Sequence, residues 1–240
     1  MSSADSPGRS IPVNDIVLVC DLDETLLDCN SFPRWVRFML NGQIAGLGTG
    51  GRLALSLRAG SALAWRKAKF CSHYAMKRRL QGIWTEALKG ETEAAALQSF
   101  FDGLRPHLRP GLAGILKMIA DGKVESVLAS AAAAEYAEPF GHSLGFRHVL
   151  ATPRSGQEAV EFRGQEKRDR VLAWLKAQGL SGRKRIFLTD HEEDMPFMKE
   201  SHLVLWFGKP EDVEGLQAQA GVRIVACRDM TAAQIEALLQ

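Results

Sequence analysis

The chain has little cysteine, and the little it has forms no pattern. Its four cysteines, Cys20, Cys29, Cys71 and Cys227, lie far apart and include no C-x-x-C pair. That argues against a zinc ribbon or a disulfide framework and suits reduced thiols in the cytoplasm. The six histidines show neither H-E-x-x-H nor H-x-x-x-H spacing, so they carry no zinc signature. No stretch reaches the roughly 18 uninterrupted apolar residues of a membrane span. The nearest approach, Ile44 to Trp65, is broken by Arg52 and Arg58 and loosened by five glycines. Charge of one sign is also missing in bulk. With 30 basic and 28 acidic residues the formal net charge is +2, which argues against a nucleic-acid binder, and none is expected as a partner. Residues 1–12 are rich in Ser and Pro and hold no apolar run. They read as a flexible leader rather than an export signal, and a cytoplasmic location is the expectation.

What is present is apolar residue in repeating patterns. Hydrophobic residues make up 46% of the 240 residues, enough for a sizeable core. Ile16 to Cys20 is a short apolar run that ends in Asp21, as expected for a strand buried on both faces of a parallel sheet. Similar runs recur at Val124 to Ala129, His148 to Ala151, Arg185 to Thr189, His202 to Phe207 and Val222 to Ala226. Helical spacing lies between most of them, as at Leu112, Ile115, Leu116 and Ile119. The alternation predicts an α/β fold with a Rossmann-like, doubly wound parallel sheet.

One interval breaks the alternation. About a hundred residues separate the first strand from the run at Val124, with helical segments at Pro33 to Leu40, Leu53 to Phe70, Ala75 to Leu88 and Thr92 to Leu104. A βαβ crossover needs far fewer. We therefore expect an all-helical cap at residues 30–106, inserted into a core made of residues 13–29 and 107–240. From Arg34 to Arg109 the chain holds 13 basic and 4 acidic residues, a balance of +9, against −7 elsewhere. Solvated helix faces would explain this. So would a lid that gathers anionic substrate, with Arg34 and Arg37 as expected contacts, or a face for an acidic membrane surface.

The chemistry-bearing string is Asp21-Leu22-Asp23-Glu24-Thr25, directly after the first strand. Two carboxylates two residues apart beyond a strand end converge on one metal ion if the loop turns sharply. The plain alternative is a turn in which Asp23 or Thr25 satisfies backbone N–H groups. Three other candidates stand at the ends of runs or at a helix start: Ser130, Lys167, and the pair Asp190 and Asp194. Taken singly, each has a structural explanation, as a helix cap or a surface lysine.

Taken together and in order, these strings resemble the haloacid dehalogenase superfamily. Asp21 to Leu26 is similar to its first motif and Val127-Leu128-Ala129-Ser130-Ala131 to its second. Gly164-Gln165-Glu166-Lys167 resembles the third, and Phe187-Leu188-Thr189-Asp190 through Asp194 the fourth. A helical insertion between the first and second motifs resembles the phosphoserine-phosphatase-like branch. The resemblance implies hydrolysis of a phosphate monoester with Asp21 as nucleophile and Asp23 as general acid and base. It also implies Thr25, Ser130, Ala131 and Lys167 around the phosphate. Mg²⁺ would be held by Asp21, Asp23 through its carbonyl, Asp190 and Asp194. The implied substrate is a small phosphorylated metabolite or a phospholipid headgroup phosphate. Phosphotransfer on the same scaffold, or non-catalytic binding of phosphate or acidic lipid, are the alternatives. There are departures: Glu24 stands where Gly is commonest, Thr189 where Gly or Ser is usual, and Glu193 where Asn is frequent. Gly46-Leu47-Gly48-Thr49-Gly50-Gly51 matches G-x-G-x-x-G, but helical sequence precedes it and no acid follows at the required distance. A turn in the insertion is expected there.

Overall fold

The computed structural model describes residues 15–42, 44, 46–158 and 160–239; the expected leader at residues 1–12 lies outside them. Six strands form one parallel sheet: β1 (Ile16–Cys20), β2 (Glu125–Ala133), β3 (His148–Thr152), β4 (Lys184–Thr189), β5 (Leu203–Trp206) and β6 (Arg223–Ala226). Their spatial order is β3-β2-β1-β4-β5-β6, so the strand order reverses direction beside β1. β1 is central, pairing with β2 on one side and β4 on the other. All five of its residues are fully buried. Ile16, Leu18 and Cys20 join the core on one face of the sheet, while Val17 and Val19 join the core on the other. The period of two thus delivers apolar residues to both faces, which is why the run reads as continuous rather than alternating.

The flanking helices of the core are α5 (Ala113–Ala120), α6 (Ala134–Ser143), α7 (Gly164–Ala177), the short α8 (Met195–Met198), α9 (Val213–Ala220) and α10 (Ala232–Ala237). Between β1 and β2 the chain runs through four helices with no strand among the described residues: α1 (Ser31–Asn41), α2 (Thr49–Lys67), α3 (His73–Ala87) and α4 (Glu91–Leu104). The fold is a Rossmann-like α/β sheet with an inserted all-helical cap. The Gly46 to Gly51 string falls in the turn before α2 and its first residues.

Aromatic packing fixes the cap against the sheet. Trp35 of α1 meets Trp84 of α3 and Tyr136 of α6, with ring centroids 5.4 and 5.1 Å apart. Phe100 of α4 packs edge-on against Tyr136, and Phe101 meets Phe140 in a tilted pair. Ser31 Oγ lies 2.9 Å from Tyr136 Oη, which satisfies both buried hydroxyls. Polar bonds add to this from α3: Gln81 Nε2 donates to Glu135 Oε2 at 2.6 Å and to Pro153 O at 2.9 Å. The two connections between cap and core pair with each other, Asp28 N donating to His107 O at 2.8 Å and Arg109 N to Leu26 O at 2.9 Å.

Candidate active site

Strand ends of a parallel sheet converge where the order reverses, and the crevice there is the usual place for ligands. Here Asp21 and Asp190 directly follow β1 and β4, Ser130 lies in the last four residues of β2, and a cleft of about 270 Å³ opens over them. Asp21, Asp23, Ser130, Ala131, Lys167, Asp190 and Asp194 all line it. The cap supplies Phe32 and Pro33 from α1 and His73 and Lys77 from α3. A wider cleft of about 830 Å³ adjoins it, sharing Glu24, Asp190 and His191.

After Asp21 the backbone makes one wide, irregular turn over Leu22–Leu26, closed by Leu27 N donating to Leu22 O at 2.9 Å. Glu24 sits in that turn with φ +54°, in the left-handed region. The position favours glycine because a Cβ crowds the following carbonyl there, so Glu24 carries a strain of about 1 kcal/mol. The turn brings Asp23 back toward α1, where Ser31 N donates to Asp23 Oδ1 at 2.7 Å. Burial pushes the Asp23 carboxyl up to about 7; the Ser31 hydrogen bonds oppose the shift and the Asp21 charge adds to it.

Asp21 is nearly buried, and its Oδ1 accepts no hydrogen bond among the described residues. Lys167 Nζ stands 3.5 Å from that oxygen. Burial raises the Asp21 carboxyl above the ordinary range; Lys167 opposes this and Asp194 reinforces it. Lys167 sits at the fourth residue of α7, and its Nζ donates to Asp194 Oδ2 at 2.8 Å. Burial pulls the pKa of this amine down, but Asp194 and Asp21 beside it outweigh burial and hold it above the ordinary lysine value.

On β4 the unusual Thr189 has a clear task. It is fully buried, and its Oγ1 donates to Asp194 Oδ2 at 2.6 Å. Asp190 is pushed up to about 8 by burial and by the Asp21 charge. Thr25, expected at the phosphate, is instead fully buried and off the cleft wall; its Oγ1 donates to Asp190 Oδ1 at 3.0 Å. Glu193 lies on the cleft wall beside Arg163, whose Nη1 is 3.3 Å from Glu193 Oε1.

The second motif depends on an irregular strand. The β2–β3 pairing shifts register between Ala129 and Ala133, and this bulge turns Ser130 and Ala131 into the cleft. Ser130 is buried, and its Oγ accepts from Ala132 N at 3.3 Å. The Ala131 carbonyl is occupied by Thr152 Oγ1 at 2.7 Å and Lys77 Nζ at 3.2 Å, which holds its peptide in place.

Arg34 and Arg37 are not in this cleft. α1 buries Phe32, Trp35, Val36 and Met39, so its intervening arginines turn away and line a separate groove with Phe38 and Phe100. The cap's basic side chains in the cleft come from α3. Lys77 Nζ pairs with Glu161 Oε1 at 2.7 Å, and His73 packs edge-on against Phe32 at 5.5 Å. The expected basic lining of the lid therefore reduces to Lys77 and His73, with Arg163 from the core. Nothing in the sequence sets Lys77 apart from Arg78 and Arg79 beside it; only the direction in which α3 docks does.

The donor set suits a hard cation. It is all oxygen, it holds more buried carboxylate than Lys167 alone balances, and Asp21 Oδ1 lacks a hydrogen-bond partner. It is not a tight cage of side chains: among the described residues, the group whose ligand atoms all lie within 4.8 Å is Asp28, Cys29 and His107. Asp194 is held in the same cleft by Lys167 and Thr189, both of which donate to its Oδ2.

The chain matches the family model for haloacid dehalogenase-like hydrolases over residues 18–199. No curated protein sequence matches it. Among solved structures it is similar to a protein of unknown function from Bordetella pertussis Tohama I, at 21% identity and TM-score 0.69, covering 89% of this chain and 99% of that one. It is also similar to a probable phosphoserine phosphatase from Vibrio cholerae, at 14% identity and TM-score 0.58, covering 96% of this chain and 67% of that one. A substrate-bound phosphoserine phosphatase matches at 12% identity and TM-score 0.53, covering 95% of this chain and 99% of that one. At these identities the likeness is one of fold. With the family model spanning residues 18–199, the chain belongs to the haloacid dehalogenase-like hydrolases.

Proposed function

We propose that the protein is a Mg²⁺-dependent phosphatase that hydrolyses a phosphate monoester through an aspartyl-phosphate on Asp21. The observation that carries the reading is the pairing of two carboxylates in one turn: Asp21 beside Lys167, and Asp23 held by Ser31 with its carboxyl near 7. A carboxyl near neutrality can serve in both directions. Asp21 attacks phosphorus; Asp23 gives its proton to the leaving oxygen; Asp23 then takes a proton from the water that attacks the aspartyl phosphate. Lys167 and the Ser130 hydroxyl, with the Ala131 N–H, balance charge on the equatorial oxygens. Mg²⁺, held by Asp21, the Asp23 carbonyl and Asp190, with Asp194 behind, would neutralise phosphate charge and orient it for in-line attack.

Under the same proposal, residues 13–29 and 107–240 act as the catalytic core and residues 30–106 as the cap that selects the leaving group. The substrate class is a small phosphorylated metabolite or a lipid headgroup phosphate. A screen of phosphoamino acids, sugar phosphates, nucleotides and lipid phosphates, with and without Mg²⁺, tests the reading. Turnover of none of them, nor of a generic aryl phosphate, would overturn it. Transfer of the phosphoryl group to an added alcohol in place of water would favour the phosphotransferase alternative.

A further inference from the structure

The cap presents a surface that its own fold leaves uncovered. α2 buries Leu55, Ala59 and Ala62 against its neighbours. Its opposite side carries Leu53 at 60% exposure, Leu57 at 65% and Trp65 at 53%, and Phe70 in the following turn is 78% exposed. These are the exposed large apolar residues among those described. Leu53 and Leu57 are one turn apart and so share a stripe. Trp65 and Phe70 pack edge-on at 6.4 Å, with Arg79 stacked on Trp65 at 4.7 Å. Isolated exposed apolar side chains need no explanation, but a stripe that ends in a paired Trp and Phe does.

The charge around this stripe is mostly of one sign. From Cys29 to Thr85 the sequence contains no Asp or Glu, but ten Lys and Arg. Arg58 is balanced by Glu86 of α3. Arg52, Arg66, Lys67, Lys69 and Arg79 have no carboxylate partner among the described residues. A second copy meeting this face with the same face, as in a two-fold dimer, would bring like charge against like charge. An anionic lipid surface supplies what both components lack: acyl chains for the apolar stripe and negative headgroups for the cations. Arginines interrupt the helix, and no described helix is long and apolar enough to cross a membrane. The element is built to lie on a bilayer rather than to span it.

We infer that the outer face of α2, with the turn through Phe70, docks the protein on an anionic membrane surface. The docked edge would lie near the cleft mouth. Phe70 is three residues from His73, at most about 11 Å along an extended chain, and His73 lines the cleft. Arg66 is close enough to His73 to oppose its protonation. Docking is independent of hydrolysis, so failure of the phosphatase reading would leave it standing.

The test is co-sedimentation of the full chain with vesicles of phosphatidylcholine alone, and of phosphatidylcholine with about one third phosphatidylglycerol. The chain should pellet with the anionic vesicles and stay in solution with the neutral ones, and raised salt should release it. Trp65→Ser with Phe70→Ser, and separately Leu53→Ser with Leu57→Ser, should each weaken partitioning by about tenfold or more. Unchanged circular dichroism and melting temperature would show that these exposed sites leave the fold intact. Equal recovery in the supernatant with both vesicles would overturn the inference, as would variants that bind like the parent. A concentration-dependent dimer in sedimentation velocity, dissolved by Leu53→Ser with Leu57→Ser, would also overturn it by assigning the stripe to a second copy.

Discussion

Lys77→Met is the sharpest probe of how the cap is tied to the cleft. Lys77 leaves α3, has a side chain only 5% exposed, and places Nζ 2.7 Å from Glu161 Oε1, whose side chain is 16% exposed. Breaking a fully buried pair by deleting one partner costs about 3–5 kcal/mol, because the other charge stays behind without compensation. Two features lower the figure here. Glu161 keeps Arg163, whose Nε is 3.3 Å from its Oε2, and the Ala131 carbonyl keeps Thr152 at 2.7 Å. We expect a loss of about 2–3 kcal/mol, which for a chain of this size lowers the melting temperature by roughly 4–12 °C. Glu161→Gln in the Lys77→Met background should return more than half of the loss. A double-mutant cycle from urea unfolding measures the coupling. If Lys77→Met melts within about 1 °C of the parent, or the coupling falls below about 0.5 kcal/mol, the pair does not tie cap to core.

Asp21→Asn should cut turnover by on the order of 10⁴-fold while leaving the melting curve near that of the parent, since Asn keeps the shape and loses the attacking charge. Substantial residual activity would remove Asp21 from the nucleophile role. Chelation should abolish activity and Mg²⁺ restore it, while Ca²⁺ should bind and support little turnover because its looser coordination engages both Asp21 oxygens. Full activity after exhaustive chelation would contradict the metal assignment. Arg34→Ala with Arg37→Ala should leave KM unchanged, since both line a groove away from the cleft; a rise in KM would mean that substrate extends there. Burial and the neighbouring Lys77 hold His73 below the ordinary imidazole range. Its folded-state value being lowered, its contribution to stability is present above the free-histidine value near 6.5 and is lost as pH falls through the folded value. The melting temperature of His73→Gln should therefore fall less than that of the parent between about pH 7 and pH 5; parallel curves would show that His73 is not the group responsible.

The local problem was legible in the sequence and the docking problem was not. β1 could be read from five apolar residues ending in an acid, because a strand buried on both faces leaves an uninterrupted run. The six strands and the four inserted helices could be read from periodicity, which is a local property. Asp21, Ser130, Lys167, Asp190 and Asp194 could be gathered in advance only through the resemblance of their strings, taken in order, to the motifs of one family; the parallel sheet is what brings those segments to one cleft. The left-handed turn at Glu24 was not read from the sequence, although it falls where the resembled family most often has glycine. Tertiary structure alone decided which cationic side chain reaches the cleft. Within the Lys77-Arg78-Arg79 run, each step rotates the side chain by about 100°. Lys77 enters the cleft, Arg78 donates to the Pro153 and Arg154 carbonyls, and Arg79 stacks on exposed Trp65. The same geometry sent Thr25 to Asp190 and turned Arg34 and Arg37 away from the cleft, because the burial of Trp35 and Val36 sets how α1 is rotated about its axis. Sequence determines that these residues share a helix; the partner against which the helix packs determines where each one points.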